Sequence, residues 1–299
     1  MTHIADLQAF RKEKPFFVGI DSDGCAFDTM EIKQKECFIP NTCNYWNLQA
    51  VSTMAREAGE FVNLYSQWRG INRFPALVMI LDLLADRPEA LERGYKLPDI
   101  APLRDWIGRE TALSNTTLKQ EVARTNDPLL GQTLRWSEAV NETVGKVVRN
   151  VPPFPHVRQC LATLQEQADV IVVSATPGEA LVREWAEHDI ARYAGMICGQ
   201  EMGSKKEHLQ HCAGGKYAPD HVLMIGDAPG DMKAARANNC LFFPINPGKE
   251  AQSWQRFMEE GIARFYAGTF RGAYEEELVK EFMDLLPSLP PWKSPKKCC

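Results

Sequence analysis

Three short segments, far apart in the chain, hold most of the residues able to do ionic chemistry together. Asp21-Ser22-Asp23-Gly24, Ser174-Ala175-Thr176 and Gly226-Asp227-Ala228-Pro229-Gly230-Asp231 each follow directly on a short apolar run. In an open parallel sheet, ligands sit outside the carboxyl ends of the strands, so residues at strand exits are the ones to examine. If the three runs are strands of one sheet, four carboxylates and a serine hydroxyl meet at one edge. Carboxylates packed together repel one another, and burial drives protons onto them unless a cation shares the site. The set offers oxygen ligands only, with no Cys or His at metal spacing, so the cation it suits is Mg²⁺, which takes a few carboxylates, keeps several waters and binds substrate phosphate. A phosphorylated substrate is the natural complement. A carboxylate can attack phosphorus to form an aspartyl-phosphate, and a second carboxyl group can protonate the leaving oxygen and then activate water. Asp21 and Asp23, two residues apart at a strand exit, have a spacing that lets both approach one phosphoryl centre.

The elements that would position these groups follow from the apolar pattern. FFVGI (16–20), VIVVS (170–174), GMICG (195–199), HVLMIG (221–226) and CLFFPI (240–245) are short, almost uninterrupted apolar runs, the pattern of parallel strands covered on both faces. Helical patterns at 157–167, 178–188, 204–212 and 231–238 alternate with the later runs, which predicts a doubly wound α/β sheet. The interval from 30 to 149 breaks that rhythm. Segments 49–68 and 74–85 have apolar residues at three-to-four spacing and no convincing strand, so an inserted all-helical domain is expected there. The proline-rich stretch 151–157 returns the chain to the sheet. The predicted division is a core of 1–29 with 150–290, a helical insert of 30–149, and a poorly ordered tail from 291 to 299.

DSDGCAFDTM, SAT, the lysine of GSKKEHL and GDAPGD, in this order, resemble the four motifs of the haloacid dehalogenase superfamily. The resemblance covers 15–30 and 150–247, and the helical insert stands where that family places its cap. It implies a Rossmann-like core with a helical cap domain and a Mg²⁺-dependent hydrolase acting on phosphate esters. Asp21 is implied as nucleophile and Asp23 as acid/base. Ser174, with Ala175 beside it, is implied to bind the phosphoryl group, and the motif-three lysine to neutralise charge on nucleophile and phosphate. Of the adjacent Lys205 and Lys206, Lys205 is preferred, because Ser204 reads as an N-cap that puts Lys205 at the first helical position. Mg²⁺ is implied to be held by the Asp21 carboxylate, the Asp23 main-chain carbonyl and Asp227, with Asp231 more often an outer partner. Asp23 favours phosphate-ester chemistry over the dehalogenases and the phosphonate hydrolase, which lack an aspartate at that position. A sugar phosphomutase shares every core residue and is the alternative; a non-catalytic protein on the same fold would be signalled by loss of these acids, and none is lost.

Composition removes other classes of function. A net charge of -5, from 34 Lys and Arg against 39 Asp and Glu, gives no basic footprint for nucleic acid or anionic lipid. The longest apolar stretch, 75–84, is interrupted by Asp82 and too short to span a bilayer. Nine scattered cysteines without a C-x-x-C, and no apolar leader, lead to the expectation of a cytoplasmic protein acting on a small phosphorylated metabolite. Oligomeric state leaves no trace in the sequence. In the insert, Arg69 and Arg73 flank Gly70 and Asn72 and could grip a second anionic group on the substrate through paired hydrogen bonds, although a salt-bridged structural arginine is the plainer reading. Asp28-Thr29 is read as ending the loop and capping the first helix of the insert. His208, His211 and Cys212, one helical turn apart, lack the fourth ligand and second cluster of a metal site. Cys298-Cys299 has the form of a lipidated end, but a tail is the plainer reading.

Overall fold

An apolar run with no polar alternation has to be covered on both faces. The computed structural model, which describes residues 4–293, lays five such runs side by side. The strands β1 (Phe16–Ile20), β2 (Ala168–Val173), β3 (Met196–Cys198), β4 (Val222–Gly226) and β5 (Leu241–Pro244) form one all-parallel sheet in the order β3-β2-β1-β4-β5. The doubly wound α/β class expected from the sequence is the class observed. β1 is central: Phe16 to Ile20 pair with Ala168 to Val172 on one side, and Phe17 to Ile20 with Val222 to Ile225 on the other. The chain first winds outward from β1 to β3 and then returns to place β4 and β5 on β1's other side. That reversal opens a crevice at the carboxyl end of β1, the position where such sheets bind ligands.

Alternation along β1 shows how the sheet is covered. Phe16, Val18 and Ile20 face a core that includes Cys160, Leu161 and Leu164 from the helix Val157–Gln167. Phe17 faces the other core, with Leu209 and Cys212 from the helix Lys205–Ala213 and Met232 and Ala235 from the helix Pro229–Ala237. The two latter helices begin at strand exits, so their first turns deliver side chains to the same edge as β1.

The chain divides into two compact units, one ending at Met30 and resuming over Asn150–Leu286, the other comprising Glu31–Arg149 and the segment from Pro287. Among the described residues, the regular structure of the second unit is all helix. Its apolar centre holds Trp106 and Trp136 around Phe74, with ring centroids 5.0 and 6.4 Å from the Phe74 ring. Trp136 can be buried because its indole N–H donates to Thr42 Oγ1 at 3.1 Å. The helix Arg73–Ala85 starts where the Asn72 side chain accepts from the Phe74 N–H at 3.0 Å. One feature has no signature in the apolar spacing: Lys33–Phe38 winds as a π-helix between the α-helices Thr29–Ile32 and Ile39–Tyr45.

The tail departs from the expectation of poor order beginning at 291. Trp292 packs edge-on against Phe61 with centroids 6.0 Å apart, and Lys293 pairs with Asp86 at 2.6 Å. The aromatic ring finds apolar surface, which a composition rich in proline and lysine does not reveal. Cys298 and Cys299 lie outside the described residues. Among the described residues, no helix is long and apolar enough to cross a membrane.

Candidate active site

The site begins with the turn that follows β1. The carbonyl of Ser22 accepts from the N–H groups of Cys25, Ala26 and Phe27 at 3.3, 2.9 and 3.1 Å, and the Gly24 N–H donates to the Phe27 carbonyl at 2.8 Å. Gly24 makes the turn with φ of 77°, a conformation that glycine adopts without the steric cost a side chain would bring. The Ser22 hydroxyl accepts from the buried Trp185 indole at 3.0 Å, and Cys25 accepts through its carbonyl from Trp254 Nε1 at 2.8 Å. Two tryptophans thus pin the loop on which Asp21 and Asp23 stand.

Asp21 is buried, with Oδ1 accepting from the Ser22 N–H at 2.7 Å and Oδ2 paired to Lys205 Nζ at 2.6 Å. Lys205, not Lys206, reaches this edge, and its Nζ also meets Asp231 Oδ1 at 2.6 Å. The reason is the cap: Ser204 accepts from the Glu207 N–H while Glu207 accepts from the Ser204 N–H at 2.7 Å, a capping box that starts the helix at Lys205. Asp231 is fully buried in the first turn of its own helix. Its Oδ2 accepts from the N–H groups of Asp227 and Ala228 at 3.1 and 3.0 Å, so with Lys205 on Oδ1 both of its oxygens are engaged. Gly226 is required beneath it, because a methyl group there would overlap the Asp231 carboxylate.

The buried carboxylates of Asp21, Asp227 and Asp231 have oxygens within 4.8 Å of one another. Three acids around one lysine ammonium leave a net negative charge in a volume from which water is largely excluded. Burial accordingly pushes the Asp21 carboxyl well above the usual carboxylate range; Lys205 opposes this, and Asp231 and Asp227 reinforce it. Burial would pull the Lys205 ammonium down, but Asp21 and Asp231 outweigh it and hold the ammonium above its ordinary value. An oxygen-only donor set carrying excess negative charge fits a hard dication. The nearby Cys25 is no rival nucleophile: burial, then the charges of Asp227 and Asp21, push its thiol far up, and the thiolate is the reactive form.

Asp23 is half-buried and held differently. Its Oδ1 accepts from the Thr29 hydroxyl and its Oδ2 from the Thr176 hydroxyl at 2.6 Å. Ser174, at the exit of β2, is buried; its hydroxyl accepts from the Thr176 N–H at 3.1 Å and its own N–H donates to the Cys198 carbonyl at 3.0 Å. Ala175 is exposed beside it. The loop is further tied to the exit of β3, where Glu201 accepts from the Gly178 N–H at 3.0 Å and the Thr176 carbonyl accepts from the Gln200 N–H at 3.1 Å.

Asp21, Asp227, Asp231 and Lys205 therefore form one cluster, and Asp23 is tied to the loop of Ser174. The two arginines are occupied elsewhere. Arg69 is buried and donates to the Leu64 carbonyl at 2.9 Å, and its charge is felt by Glu31. Arg73 donates from Nη1 to the Ser137 carbonyl, the Ser137 hydroxyl and Asn141 Oδ1 at 3.1, 2.9 and 2.8 Å and lies over the Phe38 ring; burial pulls its guanidinium down to about 10. Both donate to carbonyls of the helical unit that carries them, which fits the plainer reading of structural arginines: carbonyls inside a helical bundle need donors. Sequence reasoning missed the parts played by Thr29 and Thr176. The only available signal was that each hydroxyl stands within a few residues of a strand exit that carries an acid or a serine. His208 is fully buried, and burial followed by the charge of Lys205 lowers it to about 4, so it is neutral and no metal ligand cluster forms around it among the described residues.

The family model for haloacid dehalogenase-like hydrolases matches residues 101–245. The match takes in Ser174, Lys205, Asp227 and Asp231 but stops short of β1, which the sheet inserts between two matching strands, β2 and β4. No curated protein sequence matches the chain. Among solved structures, a haloacid dehalogenase-like family hydrolase from Streptococcus pneumoniae is similar at 13% identity and a TM-score of 0.48, over 80% of this chain and 90% of that one. A HAD-superfamily hydrolase from Ehrlichia chaffeensis is similar at 18% identity and a TM-score of 0.38, over 84% of this chain and all of that one. A protein titled a predicted phosphatase, from Clostridium acetobutylicum, is similar at 12% identity and a TM-score of 0.42, over 78% and 85%.

Proposed function

We propose that the chain is a haloacid dehalogenase-like hydrolase, in line with the family model that matches residues 101–245, and that it acts as a phosphatase that releases phosphate from a small phosphorylated metabolite through an aspartyl-phosphate on Asp21. The observation that carries the reading is the buried cluster of Asp21, Asp227 and Asp231 around Lys205, with Asp23 two residues beyond Asp21. An Asp21 oxygen attacks phosphorus, the ester P–O bond breaks, and Asp23 gives its proton to the departing alkoxide. Water then attacks the phosphorus of the acyl-phosphate, Asp23 takes the proton, and the bond to Asp21 breaks, restoring both carboxyl groups and releasing inorganic phosphate. Ser174 and Lys205 are the donors for the phosphoryl oxygens. Positioning of this kind and charge stabilisation supply nearly all the catalysis in phosphoryl transfer.

Asp21 and Asp227, with the Asp23 carbonyl, are the groups that would hold Mg²⁺, while Asp231, engaged through both oxygens, orients Lys205 and the loop of Asp227. When bound, the ion would lend positive charge to a site whose acids otherwise favour protonation. The helical unit is read as a cap domain; a cap of that kind, where it closes, would exclude water and select substrate. Buried free thiols at Cys25, Cys37, Cys43, Cys160, Cys198, Cys212 and Cys240 suit a reducing, cytoplasmic setting.

The test is phosphate release from p-nitrophenyl phosphate and a panel of small phosphate esters, with Mg²⁺ and with chelator, on the native protein and on Asp21→Asn. Turnover that needs Mg²⁺ and disappears in the variant, by roughly 10⁴-fold or more, is expected. Release that survives in Asp21→Asn contradicts the reading.

A further inference from the structure

A buried indole N–H has to find an acceptor, and most side-chain hydrogen bonds run to backbone or water rather than to another side chain. Trp254 follows that rule, donating to the Cys25 carbonyl at 2.8 Å. Trp185, fully buried on the helix Gly178–Glu187, does not: its Nε1 donates to the Ser22 hydroxyl at 3.0 Å. Ser22 is itself fully buried and follows directly on Asp21. Each of its polar groups has a different task. The N–H donates to Asp21 Oδ1 at 2.7 Å, the carbonyl accepts the N–H groups that close the turn, and the hydroxyl meets Trp185. The turn would close equally well around an alanine, since its bonds are all main-chain, so local structure does not explain the hydroxyl.

We propose that Trp185 is a positioning residue for the nucleophile, acting through Ser22. The inference rests on the reading of Asp21 as the attacking group. The helix that carries Trp185 begins just after the Ser174 loop, at the exit of β2, the strand paired with β1. An indole is large and rigid, and this one lies edge-on to Phe27 with ring centroids 5.9 Å apart. It therefore sets the spacing between the helix that leaves the phosphate-binding loop and the Ser22 backbone. That backbone keeps Asp21 Oδ1 on its N–H and leaves Oδ2 turned to Lys205. Such bracing matters to a nucleophile, because a misplacement of about 1 Å costs about 100-fold in rate.

The experiment compares the native protein with Ser22→Ala, Trp185→Phe and the double variant, reading kcat and KM on p-nitrophenyl phosphate, inhibition by inorganic phosphate, and melting temperature. Either single substitution leaves a buried polar group unpaired, whereas removing both partners together is much less costly. Trp185→Phe is therefore expected to lower the melting temperature less in the Ser22→Ala background than in the native one. Activity is expected not to follow stability: kcat falls about 10- to 100-fold in both single variants and stays down in the double, with KM and phosphate inhibition close to native. A native kcat in the single variants, a loss lying in KM instead, or turnover that recovers with stability in the double variant overturns the proposal. Ser22→Ala removes one oxygen only and decides the matter by the same readings if Trp185→Phe fails to fold. If the native protein hydrolyses no phosphate ester, the phosphatase reading has failed, and a crystal structure of Ser22→Ala then judges the brace alone. An Asp21 carboxylate displaced from its place beside Lys205 supports it, and an unmoved one overturns it.

Discussion

Two clusters of charged residues, one in each unit, are built to opposite rules. In the α/β unit, Asp21, Asp227 and Asp231 are buried around one lysine. In the helical unit, Glu121 meets two arginines, pairing with Arg109 and, at 2.7 Å, with Arg124, and the arginines reach into solvent. The second arrangement balances its charge with water at hand, and it pulls the Glu121 carboxyl down to about 2 through the hydrogen bonds of Arg124 and Arg109. The first leaves charge unbalanced where water cannot help, and burial pushes Asp21 up. Pairs whose arginines are solvent-exposed contribute little to stability, whereas gathering several carboxylates in a buried site is costly, and perturbed acids of that kind cluster at functional sites. The helical unit draws its stability from tryptophans, and the α/β unit spends part of its own on a site.

The largest effect that would sharpen this contrast is on the helical core. Trp136→Ala removes a fully buried indole and its bond to Thr42, and should lower the unfolding free energy by about 3–5 kcal/mol in urea titrations. A loss under about 1 kcal/mol would mean that the tryptophan core does not carry the unit. Next is His208, buried on the helix that delivers Lys205 and held neutral in the fold with its titration lowered to about 4. In the unfolded chain it titrates near its ordinary value, so between that value and about 4 the unfolded state takes a proton that the fold refuses. Its contribution is intact above that window and is lost as pH falls through it, by at most about 3 kcal/mol. His208→Leu should flatten this part of the pH–stability curve, and an unchanged slope would assign the acid sensitivity to other groups.

Gly226→Ala tests the acidic cluster at its base. A methyl group beneath the Asp231 carboxylate shifts it, and with it Lys205, so turnover of p-nitrophenyl phosphate should fall about 100-fold, as for a displacement of about 1 Å in a catalytic group, alongside a loss of about 1–3 kcal/mol of stability from overpacking a buried site. Turnover at the native rate would show that the position of Asp231 is not critical. The smallest effect is expected at the balanced cluster: Arg124→Ala leaves Arg109 on Glu121 and should move neither turnover nor melting temperature measurably.

Much of this architecture was legible because it depends on short-range rules. Unbroken apolar runs announced the strands, and Ser204 with Glu207 announced where the helix carrying Lys205 begins. The acids could be placed at one edge because strand exits of a parallel sheet share it. What stayed hidden depends on partners distant in sequence. Nothing local in Thr176 says that its hydroxyl will meet Asp23, and nothing local in Arg73 says that Ser137 and Asn141 will occupy it. Trp292 likewise looked like part of a proline-rich tail until Phe61 was seen to receive it.

The central claim is that Asp21 is the nucleophile. Its most direct test is to mix the protein and Mg²⁺ with a ³²P-labelled phosphate ester that it turns over, quench in acid within the first turnover, and map the labelled peptide. The account predicts label on the peptide containing Asp21, released by hydroxylamine as an acyl-phosphate should be, and absent from Asp21→Asn. Label on any other residue, or multiple turnovers with no label trapped and full activity in Asp21→Asn, would contradict it.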